Sequence, residues 1–298
     1  MRLEEELGVA PSQPGDAVEE PRVGSLVLVG TPIGNLSDLS ERAKNTLMSA
    51  DCLVAEDTRN AKKLLSYLGI KGQKTVSLYG ERRVEARRIA EWVVSGQVVA
   101  LTSDAGMPGV SDPGAEVVKE VRLAGAKVTV VPGPSALTSA IALCDFPVDD
   151  FRFVGFLDKV ASKRREALKT FRDSRIATVA FEAPHRIAQS VADIKEIYGE
   201  NHRMLLAKEL TKLYETSLSA SVGEIEQSEM VLAPRGEYVM VLSALSKPEL
   251  SQPELIRVFG LLSDLNLGAK ATSDLLANLT GVSKNDAYAL YQAERSKR

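Results

Sequence analysis

SLVLVGTPIGNLSDLSERAKNTLMSADCLVA, residues Ser25–Ala55, is the stretch whose reading decides the fold. Ser25–Gly30 is a short apolar run without polar alternation, ended by Thr31-Pro32, as expected of a strand buried on both faces. Ser37 or Ser40 can cap a helix whose apolar stripe is Leu39, Ala43 and Leu47, at i, i+4 and i+8. Cys52–Ala55 (CLVA) is a second buried strand. Strand, helix, strand of this kind implies a parallel sheet with helices packed on it.

The same pattern continues downstream. Arg59–Leu68 predicts a helix with Leu64, Leu65 and Leu68 on one face and Gly69 as its stop. Gln97–Thr102 and Lys127–Val131 predict strands, and between them Pro113–Ala124 predicts a helix with Val117, Val118 and Val121 inward. PGPS and a helix from Ser135 follow. Beyond a linker around Cys144–Asp150 a second α/β unit begins. Its expected strands are Phe151–Leu157, Ile176–Glu182, Arg203–Lys208 and Tyr238–Ser243, with helices at Ser162–Phe171 and Arg186–Tyr198. From Ser246 the character changes to three short helices, Ser251–Leu262, Ala269–Leu279 and Lys284–Glu294. The expectation is therefore an α/β protein with two α/β domains, 23–145 and 146–245, and a helical tail, 246–298.

Composition bounds what such a chain can do. The 298 residues are 44% hydrophobic and 26% charged with a formal net charge of −3, ordinary globular values that exclude a collagen-like or wholly disordered protein. Residues 1–22 carry six acids against Arg2 and Arg22, a net of −4, which leaves +1 for the rest. With Pro11, Pro14 and Pro21 and no apolar periodicity, this stretch is expected to be a disordered tail. Its opening, MRLEEELGVA, is acidic where a signal peptide would be basic, and no apolar run approaches the ~20 residues of a membrane helix. Cys52 and Cys144 form no disulfide framework, so a cytoplasmic location is expected. His185 and His202 leave little room for a zinc site or a Ser-His-Asp triad, and no metal is expected. Positive charge is clustered at 158–175, net +4, and 81–88, net +2. Such runs are solvated helix faces or phosphate contacts.

In an open α/β sheet the loops after the strands carry the ligand. GTPIGNLSD (Gly30–Asp38) is not a Walker A loop, because Asn35 stands where the second glycine belongs and no Lys follows. SDAGMPGVSDPG (Ser103–Gly114) is not a dinucleotide fingerprint either. Its three glycines and two prolines fix the backbone and let a ligand approach closely. Asp104 is placed to accept from a hydroxyl or amine, and Ser111 or Asp112 before Pro113 reads as a helix start. In PGPSA (Pro132–Ala136), Ser135 reads as a cap whose neighbouring amides can meet a polar ligand. FEAPHR (Phe181–Arg186) ends a strand with Glu182, and KELTKLYE (Lys208–Glu215) ends another with both charge signs. His185 reads as a surface or capping residue, and Lys208 with Glu209 could be a surface ion pair.

These segments, with VAEDTR (Val54–Arg59), GFL (Gly155–Leu157) and GEYVMVL (Gly236–Leu242), stand in an order that resembles the ribosomal RNA small subunit methyltransferase I family. That family belongs to the tetrapyrrole-methylase superfamily, the class III methyltransferases. TPIGNL, AEDTR, PHR and KELTK look like the ribosomal branch, not the porphyrinoid branch. The resemblance runs from about Leu26 to Leu242, and the helical tail fits it.

The resemblance implies two α/β domains with S-adenosylmethionine in a cleft between them, and a homodimer. It implies 2'-O-methylation of a cytidine in the decoding region of 16S rRNA within the small ribosomal subunit. Carried over, Pro32, Ser103, Asp104, Ala105, Gly106 and Met107 surround the cofactor, with Ser135, Ala136 and Leu137. Phe181, Glu182 and Leu210 would close over it. A ribose hydroxyl is a poor nucleophile and needs an acceptor for its proton; Glu182, His185, Lys208 and Glu209 are the candidates. Arg59, Lys62, Arg82, Arg83, Arg164, Arg165 and Arg186 are the candidate rRNA contacts. The chain departs from the family at Ser77–Arg88 (SLYGERRVEARR), where an acidic-His-Asn-Glu run is typical; Arg82 or Arg83 would then serve as donors to phosphate or ribose. It departs again at Met107, where Thr is common. Two other readings stay open: a porphyrinoid methyltransferase, and an RNA-binding assembly protein with a defective site.

Overall fold

The structure is a computed structural model that describes residues 23–78, 82–245, 251–265 and 267–296, without the side chains of Arg82 and Arg83. The acidic stretch 1–22 lies outside the described residues, as do Tyr79–Glu81 of the departing segment. The chain divides into two compact units between Ala136 and Leu137.

The first unit runs β1 (Ser25–Val29), α1 (Glu41–Ser49), β2 (Cys52–Ala55), α2 (Thr58–Tyr67), β3 (Thr75–Ser77), α3 (Arg82–Val94), β4 (Val98–Thr102), α4 (Ala115–Leu123) and β5 (Lys127–Val131), with α5 (Ala136–Ala142) at the division. The five strands are all parallel, in the order β3-β2-β4-β1-β5. Strand residues alternate between faces, and each face has its own core. Leu26, Val54 and Leu101 pack with Ile89 and Val93 of α3 and Val117 and Val121 of α4. Val27, Leu53 and Ala100 pack on the other side with Ala43 and Leu47 of α1 and Ala61 and Leu65 of α2. The parallel sheet expected from the apolar runs is present.

Three local expectations change. Ser40, not Ser37, caps α1, accepting from the Ala43 amide. α4 starts later than Ser111–Pro113 suggested: its N-cap is Gly114, at φ 147°, and Ser111 is left-handed at φ 65°. The loop still has a turn to make after Asp112, and only glycine adopts that backbone without strain. β3 falls where no element was expected, and α3 continues the charged run 81–88, one reading of which was a helix face, to Val94. β3 is a three-residue edge strand too short to show a period, and α3 hides its Ala86, Ile89, Ala90 and Val93 stripe among charges.

The second unit runs β6 (Phe151–Phe156), α6 (Ala161–Asp173), β7 (Ala177–Glu182), α7 (Pro184–Tyr198), β8 (Arg203–Lys208), β9 (Thr216–Ser221), α8 (Val222–Glu226), α9 (Glu229–Leu232) and β10 (Tyr238–Leu242). Its sheet is mixed, in the order β6-β7-β10-β8-β9. β6 and β7 are parallel, and the other pairs are antiparallel. α10 (Gln252–Ser263), α11 (Ala269–Thr280) and α12 (Lys284–Arg295) follow. They share a core of Phe259, Leu262, Leu276, Ala277, Ala287 and Tyr291. No described helix is long and apolar enough to cross a membrane.

Candidate functional site

In the first unit the loops after β1 and β4 are tied together. Thr31 and Gly106 exchange both backbone hydrogen bonds, at 2.9 and 3.1 Å. The Gly106 amide is therefore spent on Thr31 and is not free for a ligand. Met107 lies against Gly30, where a Cβ would come within 2.6 Å of its sulfur. Gly30 also packs on Gly133 of the PGPSA loop, so three loop segments converge at the carboxyl end of β1.

Asp104 is exposed, and its carboxylate is already engaged. Oδ1 accepts from the Asp57 amide and Oδ2 from Asn60 Nδ2, both at 3.0 Å. Each oxygen keeps a second lone pair for a ligand donor. Asp57 in turn caps α2, accepting from the Arg59 amide and guanidinium, and this holds its carboxyl down at about 2. Burial pushes the Asp112 carboxyl up, against a hydrogen bond from Ser103.

A cavity of about 240 Å³ opens between these loops and α2. Thr31, Pro32 and Leu36 line it from the β1 side, and Thr102, Ser103 and Asp104 from the end of β4. Asn60, Ala61, Lys63 and Leu64 form the α2 wall. Three of the expected cofactor residues, Pro32, Ser103 and Asp104, are thus brought together. Asn60 was not singled out from the sequence, although its spacing of three from Lys63 puts both on one face of α2. The volume is below the ~300–1,000 Å³ usual for a drug-sized ligand, so it takes a part of one.

In the second unit the strand register gathers the other candidates. Tyr238 on β10 faces Glu182 on β7 and Lys208 on β8, which sets all three in one cross-strand row on the α7 side. Phe181 points to the opposite face, where it makes edge-on contacts with Phe153 and Phe156 at 5.0 and 5.8 Å. Glu182 and Phe181 therefore do not act on one ligand from the same side.

Glu182 is corrected as a base. It is fully buried, and its carboxylate accepts from the Ser190 hydroxyl at 2.6 Å and the Ala183 amide at 2.8 Å, and pairs with Arg186 at 2.5 Å. It fastens the start of α7 to the sheet. Arg186 is spent on the same pair and on the Leu157 carbonyl, so it is no phosphate contact. Glu209 pairs with Lys212 at 2.8 Å, not with Lys208. Burial raises its carboxyl, but the Lys212 ammonium and the Glu237 amide outweigh this and leave it below the usual range. Glu209 and Thr211 are both left-handed, at φ 53° and 66°, and the Thr211 hydroxyl is buried without a partner. Leu210 between them is buried.

Among the basic candidates Arg164 is also corrected. Its side chain is 1% exposed and pairs with Asp193 at 2.5 Å, so it belongs to the packing of α6 on α7. Its neighbour Arg165 reaches the other oxygen of Asp193 from the surface at 2.6 Å. Arg59 and Lys62 are exposed on α2.

Comparison with known proteins adds to this geometry. Residues 25–226 match the family model of the tetrapyrrole (corrin/porphyrin) methylases. Ribosomal RNA small subunit methyltransferase I of Pseudomonas aeruginosa is 36% identical over 270 residues, 89% of this chain and 95% of that protein. The crystal structure of diphthine synthase is similar at a TM-score of 0.58 and 16% identity, over 74% of this chain and 89% of that one. Uroporphyrin-III C-methyltransferase from Thermus thermophilus, complexed with S-adenosylhomocysteine, is similar at a TM-score of 0.50 and 18% identity, over 74% and 97%. The chain belongs to the ribosomal RNA small subunit methyltransferase I family, within the tetrapyrrole methylases.

Proposed function

We propose that this protein uses S-adenosylmethionine to methylate the 2'-oxygen of a cytidine ribose in the decoding region of 16S rRNA. The substrate would be the small ribosomal subunit in the cytoplasm, and the enzyme a homodimer. The observation that carries this reading is 36% identity, across 89% of the chain, to a protein named for small-subunit rRNA methylation.

The residues fit the cofactor. It presents an amino group, a carboxylate and hydroxyls. Asp104 keeps lone pairs for donors and Pro32 gives an apolar wall. Ser135, Ala136 and Leu137 at the start of α5 belong to the same proposal, with Ala105, Leu210 and Phe181. When bound, S-adenosylmethionine supplies the methyl group: the ribose oxygen gains it, the carbon–sulfur bond breaks, and the hydroxyl proton leaves.

The chain's own work is to hold the acceptor oxygen in line and to take that proton. With Glu182 buried and engaged by Ser190, Ala183 and Arg186, the remaining candidate acceptors are Lys208 and Glu209 at the end of β8, and His185. Arg59, Lys62 and Arg165 are exposed and supply phosphate contacts in this reading, with Arg82 and Arg83. The helical tail, 246–298, adds a further RNA or ribosome contact.

The test uses 30S subunits from a strain lacking the protein, incubated with purified enzyme and methyl-labelled cofactor. Alkali-resistant ribose methylation is then mapped along 16S rRNA. Label on the 2'-oxygen of one decoding-region cytidine is expected. Cofactor binding without label on rRNA would overturn the reading in favour of another substrate.

A further inference from the structure

The wall of the 240 Å³ cavity that faces the cofactor loops has no assigned role. It is one face of α2, with Asn60 and Lys63 three residues apart. Asn60 bridges two charges. Its Nδ2 donates to Asp104 Oδ2 at 3.0 Å, and its Oδ1 accepts from Lys63 Nζ at 3.4 Å. That leaves Asn60 one N–H and one lone pair, enough for a hydroxyl that both donates and accepts. Lys63 spends at most one long hydrogen bond on Asn60, so its ammonium keeps two donors for an anion.

A hydroxyl receptor beside an anion receptor matches one unit of a nucleic-acid backbone, a ribose with its adjoining phosphate. The 2'-hydroxyl is what distinguishes that unit from DNA. Lys62, next in the chain, lines a separate cavity of about 320 Å³ with Lys71 and Gln73, so the two lysines serve different faces of α2.

We propose that Asn60 and Lys63 form the receptor for the target nucleotide, Asn60 positioning the ribose hydroxyl and Lys63 binding the adjacent phosphate. This rests on the rRNA reading above and adds the residues that hold the acceptor. Neither residue takes the proton. Asn60 is a positioning residue, and its link to Asp104 sets the acceptor against the cofactor loop.

The experiment compares full-length Lys63→Ala, Lys63→Arg and Asn60→Ala with Lys119→Ala, an exposed lysine on α4 across the sheet. It measures 30S methylation kinetics, 30S binding against salt, and calorimetric affinity for S-adenosylmethionine. Lys63→Ala is expected to raise KM for 30S about tenfold, the loss of one charged hydrogen bond. The slope of log affinity against log salt should fall by about one. Affinity for S-adenosylmethionine should not change, and Lys63→Arg should restore most of the binding. Asn60→Ala is expected to lower kcat at least tenfold, with cofactor affinity within about threefold of wild type.

The proposal is overturned if Lys63→Ala behaves like Lys119→Ala in KM and salt slope. It is also overturned if Asn60→Ala loses cofactor affinity in proportion to kcat, since Asn60 would then serve Asp104 alone. A wild type that does not methylate rRNA, with a Lys63-dependent salt slope still present, would sink the proposed function and keep the RNA contact. A methylating wild type with a silent Lys63 would sink this inference alone.

Discussion

Gly30 and Gly133 touch backbone to backbone: a Cβ on Gly133 would lie 2.8–2.9 Å from the carbonyl carbon, Cα and oxygen of Gly30. Neither glycine is held by its φ angle, so the constraint is space alone. Gly133→Ala is expected to destabilise the protein by ~1–3 kcal/mol through overpacking. It should also weaken cofactor binding, since the β1, β4 and PGPSA loops would separate. Thermal melts and calorimetry check both. A melt unchanged from wild type would show that the loops give way freely.

Gly260 is the opposite case. It stands inside α10 with nothing within 4 Å of an added Cβ. Gly260→Ala is expected to stabilise the tail by ~0.5–1 kcal/mol through helix propensity. Denaturant melts of the full chain check this, and a loss of stability would contradict the open space at that position.

Arg164 and Arg165 are adjacent but differ in kind. Arg164→Ala leaves Asp193 buried with its inner partner gone, which costs about 3–5 kcal/mol. Arg165→Ala removes a surface arm of the same pair and is expected to change stability little. If Arg165 contacts rRNA, its loss lowers the salt dependence of 30S binding. Equal melting curves for the two variants would refute the assignment of Arg164 to packing.

Glu182→Gln separates a fastening role from a proton acceptor. A base contributes ~10²–10⁴ in rate. With its carboxylate fully buried and held by Ser190, Ala183 and Arg186, Glu182 is expected to contribute none of that. The variant should melt earlier but keep the shape of the wild-type pH profile of kcat/KM. Loss of the acid limb in a folded variant would restore Glu182 as the base.

Asp57 gives a prediction in acid. Its carboxyl is lowered from 3.8 to about 2, chiefly by the Arg59 side chain and then by the Arg59 amide. A folded value below the unfolded one means stabilisation that is present above about pH 4 and lost as pH falls through about 2. The start of α2 should therefore fray only in strong acid. An NMR titration of the Asp57 carboxyl with a midpoint near 4 would show that the cap is not formed in solution.

Much of this was legible in the chain, for physical reasons. β1, β2 and β4 lie inside the sheet with helices on both faces, so they appear as unbroken apolar runs. β9 (TSLSAS) is an edge strand with only Leu218 and Ala220 apolar, and it carries no such mark. The loops were readable because Gly, Pro and Asp cluster at them. The pairing within them was not. Nothing near Lys163-Arg164-Arg165-Glu166 tells that Arg164 is the one buried against Asp193, almost thirty residues on, while Arg165 reaches it from the surface. Glu182 looked like a free acid at a strand end because Ser190 and Arg186 reach it only once α7 is wound. Asn60 escaped notice because an exposed amide on a helix is unremarkable until a cavity is seen beside it.

The strand order of the first unit also bears on how the protein is made. β1 and β2 leave the ribosome first but never pair with each other, since β4 lies between them. Every bond that joins β2 to β1 passes through residues 98–102. β2 can pair with β3 once residues 75–77 are made, but β1 has neither of its partners until residues 98–102 follow, so the nascent chain must keep β1 unpaired while β2 and β3 come together. α1 and α2, which cover one face of β1 and β2, are available to shield them during that wait.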